Sequence, residues 1–178
     1  MNKIALTCAA IAVVGGCTSG PPPTPVDVNF TTSQARENVA TYDTVEVRTQ
    51  QAQTRGGGRN EVIGVPCTMR GSGYTASFQT PAVVNVPTYG YSSRALQVSC
   101  AYAGRSQSAT RTPINLTEQQ IRESQRRATD SIEDAEGAEA IAGAVGAVIV
   151  AATAANRRNR ESDVFGYDDI TLRFLIDR

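Results

Sequence analysis

The sequence predicts an α+β fold: a small antiparallel β-sandwich, one long C-terminal helix, and a C-terminal strand that returns to the sheet. Three observations predict it. Between positions 42 and 112 short runs alternate apolar with polar residues, separated by Gly, Pro and Ser clusters, as half-buried strands joined by turns do. From Glu118 to Glu136 the apolar residues fall at helical spacing instead. Past Asp168 the alternation returns in Ile170-Thr171-Leu172-Arg173-Phe174.

Taken in order, the chain opens with Lys3 and an apolar run, Ile4 to Val14, too short to span a bilayer as a helix. Val14-Gly15-Gly16-Cys17 follows, an aliphatic residue, two small ones and a cysteine. This stretch resembles the lipobox of bacterial lipoproteins. The resemblance implies that residues 1–16 are a signal peptide, that the Cys17 thiol carries a diacylglyceryl group, and that the new amino group is acylated. Membrane lipid is then the first partner, and three acyl chains exceed the two signals that stable anchoring takes. Thr18 and Ser19 stand where an inner-membrane retention Asp would be. The expected location is the outer membrane, lipid-anchored and facing the periplasm.

Cleavage before Cys17 removes the single lysine and leaves sixteen Arg, no Lys, no His and no Trp. The missing His takes away the commonest acid–base group and metal ligand, and the missing Lys takes away Schiff-base chemistry. Residues 26–116 carry eight Arg against five acids, and residues 117–178 eight against twelve, short of the Lys/Arg density of a nucleic-acid binder. On the lipoprotein reading Cys8 is lost and Cys17 is acylated, so Cys67 and Cys100 remain in an oxidising compartment and are expected to pair. Closing that loop should stabilise the fold by ~3–4 kcal/mol, tying an early strand to a late one across a small core. The β-sandwich is therefore expected to be disulfide-stapled.

Residues 17–41 read as the lipidated cysteine and a tether, with Gly20-Pro21-Pro22-Pro23-Thr24-Pro25 as an extended spacer and a short helix within 31–40. Tyr42 to Gln50 reads as a strand with Val45 and Val47 on one face. Arg55-Gly56-Gly57-Gly58-Arg59-Asn60 reads as a hairpin tip, because β-like sequence lies on both sides where a phosphate loop needs a helix. Within 42–112, Tyr74, Ala76 and Phe78 alternate inward, as do Leu96, Val98 and Cys100. The strand between Pro81 and Pro87 reads as an edge. The order Pro66-Cys67, Gly73-Tyr74, Thr80-Pro81, Val84-Asn85-Val86 and Leu96-Gln97-Val98-Ser99-Cys100 resembles PEGA-type β-sandwich modules of envelope proteins. That resemblance covers roughly residues 61–112 and implies a structural or interaction module with no catalytic residues. Tyr74, Tyr89, Tyr91 and Tyr102, with Arg70, Arg94, Arg105 and Arg111, offer a face for acidic glycans or a partner protein. The plainer expectation is tyrosines in the core and arginines in solvent.

Residues 113–160 read as a charged helix continuing into a Gly/Ala-rich one. Thr117 is the expected N-cap, with Gln120 at the capping-box position and Leu116 and Ile121 as a hydrophobic staple. The apolar stripe is thin (Ile121, Ala128, Ile132, Ala135), and Glu118/Arg122, Glu123/Arg127 and Arg126/Asp130 pair at i,i+4. Ala140 to Ala155 is uncharged. Its small residues fall in rows, Gly143-Ala147-Ala151-Ala155 and Ala138-Ala142-Gly146, the spacing that lets helices approach closely. The segment resembles the glycine zippers of some envelope lipoproteins, which marks Gly143, Gly146, Ala147 and Ala151 for helix packing. Sixteen residues make a helix of ~24 Å against a hydrocarbon core of ~30 Å. The expectation is a helix lying on the β module, with insertion or self-association as the rival. Residues 161–178 supply the returning strand, expected beside 43–50.

The function expected is non-enzymatic: an outer-membrane-anchored lipoprotein that serves as a structural or partner-binding module of the envelope. No cofactor, metal site or nucleic-acid partner is expected. Beyond lipid, the partner is an envelope protein or glycan, and a homo-oligomer is allowed. The alternative is a membrane-active or oligomerising component of an envelope or secretion complex, acting through residues 140–155.

Overall fold

The computed structural model describes residues 22–53, 59–133 and 160–176. Cys17, Gly143, Gly146, Ala147 and Ala151 lie outside the described residues, as do the tip of the glycine loop and the whole Gly/Ala segment.

The described chain is mostly β. Its elements are β1 (Thr24–Asp27), β2 (Asn29–Phe30), α1 (Ser33–Glu37), β3 (Thr41–Gln53), β4 (Arg59–Glu61), β5 (Pro66–Gly71), β6 (Tyr74–Gln79), β7 (Ala82–Thr88), β8 (Leu96–Tyr102), β9 (Arg105–Arg111), β10 (Ile114–Asn115), α2 (Leu116–Glu133), β11 (Phe165–Gly166) and β12 (Ile170–Ile176). One sheet runs β1-β7-β3-β12, with β4 paired to the far half of β3; the other runs β2-β6-β5-β8-β9. Most pairs are antiparallel. Two are parallel, β1 with β7 and β12 with β3.

Period-two alternation places the core. Val45, Val47 and Thr49 of β3, Ala82, Val84 and Val86 of β7, and Ile170, Leu172 and Phe174 of β12 point inward from the first sheet. Met69 of β5, Tyr74, Ala76 and Phe78 of β6, and Leu96 and Val98 of β8 meet them from the second. Burying a side chain of this kind contributes roughly 1.5–3 kcal/mol. The sheets join at a corner where the chain crosses twice. Gly64 N–H donates to the Thr80 carbonyl at 2.7 Å and Thr80 N–H to that of Val65 at 3.1 Å. The buried Thr49 and Thr80 hydroxyls meet at 2.6 Å.

β12 joins β3 in register Ile170↔Val47 to Ile176↔Gln53, so the returning strand lies beside the second half of β3. The antiparallel pairs Gln50↔Glu61 to Ala52↔Arg59 flank the glycine loop as the arms of a hairpin.

Several expectations are corrected. Thr24 and Pro25, read as tether, are strand: they pair with Ala82 and Val83, and Asn85 reinforces β1 by donating to Asp27 at 2.7 Å. β7, read as an edge because of its prolines, is interior over its first half, where β1 and β3 flank it. β1 reaches only to Asn85, so Pro87 has no β1 neighbour to which it would owe an N–H. Cys67 and Cys100 are joined by a disulfide, but the bond lies within one sheet. The two residues face each other on β5 and β8, with Cα atoms 4.1 Å apart, so the staple locks register and does not span the core.

Helix α2 is capped by Asn115, whose Oδ1 accepts from Glu118 N–H at 2.9 Å, and not by Thr117. The Thr117 hydroxyl is taken by Val164 N–H at 2.9 Å, because β10 and β11 form a small antiparallel ribbon just before the helix. The expected pairs Arg122–Glu118 and Arg127–Glu123 form at 2.5 and 3.0 Å. The helix is described for eighteen residues, and a longer one is not established.

Candidate functional site

One end of the body gathers three loops: α1, the Ser72–Gly73 turn between β5 and β6, and the segment Tyr89–Arg94 after β7. Together they line an open cleft of about 580 Å³. α1 stands where it does because Thr32 caps it, accepting from Ala35 N–H at 3.1 Å, while Thr31 N–H is tied to the Gly73 carbonyl at 2.9 Å. Gly73 is required twice over. Its φ is +82°, and a Cβ there would lie 2.6 Å from that of Ala35.

The lining is polar without being acidic. Gln34 of α1 and Asn38 just past its end bring amides, and Ser72 and Ser92 bring hydroxyls. Arg94 brings the single guanidinium, and among the described residues no carboxylate, thiol or imidazole lines the cleft. Tyr89 N–H donates to Ser93 Oγ at 2.8 Å, which holds the turn.

Beneath the cleft lies a knot of phenols. Tyr167 donates its hydroxyl to the Arg94 carbonyl at 2.8 Å, and its N–H to Asp43 Oδ2 at 2.7 Å. Gly166 makes that approach possible, since a Cβ there would stand 2.6 Å from the same carboxylate oxygen. Burial pushes the Tyr74 phenol well above its ordinary value of 10.0, and the adjacent Tyr167 adds to the shift. Burial also raises Tyr167 and Tyr89. Tyr74 and Tyr167 influence each other's titration, yet no hydrogen bond of normal geometry reaches the buried Tyr74 oxygen, nor that of Tyr89. The Tyr167 proton is already committed to Arg94.

On the flank of the cleft, Asp163 is a buried carboxylate. It accepts from the Tyr91 hydroxyl at 2.7 Å and from Asn115 Nδ2 at 2.6 Å. The Tyr91 and Phe165 rings also pack T-shaped, centroids 4.9 Å apart. One acid therefore holds both a wall of the cleft and the residue that caps α2.

The tyrosines and arginines named from sequence do not share a face. Tyr89, Tyr91 and Arg94 converge on the cleft. Tyr74 is in the core, and Tyr102 packs edge-on against Phe174. Arg105 and Arg111 reach from β9 to the carbonyl oxygens of Leu175 and Asp169, closing the seam between the two sheets. Arg70 points into solvent from the outer face of β5. The sequence reading missed Asp163, Tyr167 and Asn115. Asn115 alone carried a usable signal, as a good N-cap three residues before Glu118. Among the described residues no group of three His, Cys, Asp or Glu side chains could hold a metal ion, and no helix is long and apolar enough to cross a membrane.

The chain matches no family model, no curated protein and no solved structure.

Proposed function

We propose that this chain is a non-enzymatic, lipid-anchored protein of the bacterial envelope that offers the cleft end of its β body to a partner in the periplasm. The observation that carries the reading is the separation of tether and cleft. β1 begins at Thr24, opposite Ala82 at the start of β7, and the cleft opens past Thr88 at the other end of that strand. At 3.2–3.4 Å per residue the two points lie roughly 20 Å apart. A chain held through Cys17 is thus attached toward one end and open for binding at the other, and α2 departs from the open end too. The sequence side of the reading is the lipobox-like Val14-Gly15-Gly16-Cys17. The test is membrane fractionation with a carbonate wash, applied to the wild type and to Cys17→Ala behind a cleavable secretory signal. The wild type should fractionate with the outer membrane and the variant should be soluble and monomeric; a wild type found free in the periplasm overturns the anchor.

A second reading, in which residues 140–155 insert or self-associate, gains from one observation. The outward faces of the sheets are largely polar: Thr68, Thr75, Ser77 and Gln97 on one side, Glu46, Arg48, Thr171 and Arg173 on the other. Among the described residues there is little apolar bed for a Gly/Ala helix. Retention of the Cys17→Ala protein in washed membranes, abolished by Gly143→Arg, which puts a charge into the uncharged segment, would make this second reading the better one.

A further inference from the structure

We propose that the cleft is a binding site for a carboxylate-bearing saccharide, with Arg94 anchoring the carboxylate and the Tyr91 ring supporting the sugar face. The inference rests on the reading that this end of the body is the one offered to the periplasm. Charge selects the anionic group. Among the described residues the lining holds one guanidinium and no acid, and the flanking Asp163 carboxylate is buried and taken by Tyr91 and Asn115, so a ligand with a single negative group meets a complementary partner. Arg94 is exposed, and its backbone is fixed by the Tyr167 hydroxyl on its carbonyl oxygen at 2.8 Å, which places the side chain at the rim.

Polarity selects the rest of the ligand. Small-molecule pockets of about 300–1,000 Å³ are usually lined by apolar side chains. This cleft, at about 580 Å³, presents amides from Gln34 and Asn38 and hydroxyls from Ser72 and Ser92. Those groups both donate and accept, and they suit a ligand that is itself rich in hydroxyls and amides. Gln34 and Asn38 are four residues apart, at the two ends of one short helical turn, and the Asn38 N–H donates to the Gln34 carbonyl at 3.1 Å. The backbone that carries the two amides is therefore fixed.

The platform is pre-set. Tyr91 is 60% exposed although its hydroxyl is held by Asp163 and its ring packs T-shaped with that of Phe165. An aromatic ring kept in place at a wet surface offers area at low entropic cost, as sugar stacking requires.

The test titrates three probes into the full lipidated chain in detergent and follows binding by calorimetry. N-acetylmuramic acid carries acetamide, hydroxyls and a lactyl carboxylate; N-acetylglucosamine lacks the carboxylate, and D-lactate lacks the sugar. N-acetylmuramic acid should bind at least about tenfold more tightly than either of the others, the size expected for one charge-assisted contact. Arg94→Gln should bring it down to the level of N-acetylglucosamine. Tyr91→Phe, which keeps the ring but frees it from Asp163, should weaken sugar binding only in part, and Tyr91→Ala should lose it while D-lactate is unaffected. Equal binding of D-lactate and N-acetylmuramic acid would reduce the site to a bare anion contact and overturn the proposal. So would an Arg94→Gln protein that binds like wild type, or no binding of N-acetylmuramic acid at all. A chain that ignores the sugar yet fractionates with the outer membrane refutes the ligand and leaves the anchor standing; one that binds it from the soluble fraction does the reverse.

Discussion

Tyr74 is almost wholly buried, and its phenol oxygen has no hydrogen-bond partner among the described residues. A buried polar group left unmatched costs about 1–3 kcal/mol, so Tyr74→Phe should be neutral or stabilise by about 1 kcal/mol in urea unfolding. Tyr167→Phe, which loses the bond to Arg94, should cost about 1 kcal/mol; equal effects in the two variants would contradict this assignment. The same phenols set an alkaline limit. Their folded values lie above the ordinary 10.0, so below that pH both states keep their protons and stability is flat. Above it the unfolded chain ionises while the fold holds its protons, and stability falls as pH rises. The loss should begin near pH 10 and be shallower in Tyr74→Phe, as read from urea midpoints across the alkaline range. The sequence marked Tyr89, Tyr91 and Arg94 by type alone. Their convergence depends on where β7 ends relative to a hairpin and α1, and composition does not contain that. Asp163 was invisible because a lone acid in a polar stretch looks solvated until Tyr91 and Asn115 are brought to it.

Among the elements, the strands with clean alternation were legible, since a period of two with one buried face admits a single placement. That logic covers β3, β6, β8 and β12. It fails for β1, β10 and β11, at two to four residues too short to show a period. Proline misled at β7, because only one half of the strand has neighbours on both sides. The Cys67–Cys100 bond closes a separation of 33 residues, and reduction or the double Cys→Ala variant should lower stability by ~3–4 kcal/mol, measured by denaturant titration with and without reductant. The bond joins neighbours in one sheet, so the reduced protein should keep its strand content at low denaturant; a reduced chain with coil-like circular dichroism would show that the staple spans more than register. At the helix, Asn115→Ala removes the cap and one of the contacts of Asp163. It should cost about 1–2 kcal/mol and raise exchange at the Glu118 amide, whereas Thr117→Ala, the change a Thr117 cap would predict to matter, should leave that amide protected.

At the level of the molecule, both sheets close on a single core to which β12 contributes Ile170, Leu172 and Phe174. Phe174 is fully buried, and Phe174→Ala should cost about 3–5 kcal/mol in equilibrium unfolding, as much as a change in the centre of β8. The sequence reading found this strand and its β3 partner, because so apolar an alternation has nowhere to go but a sheet. The order in which the chain is made gives that pairing a further meaning. Glu46 and Asp169, which bond across the start of the β3–β12 seam, stand 123 positions apart. A ribosome adding ~5–20 residues per second needs on the order of ten seconds to travel between them. For that interval β3 has one lateral flank without its partner, and Val47 and Thr49 lack the strand that will cover them. Whatever meets the nascent chain during those seconds, whether a holding chaperone or a translocon that keeps it extended, governs whether it waits in monomeric form or finds a neighbouring chain first.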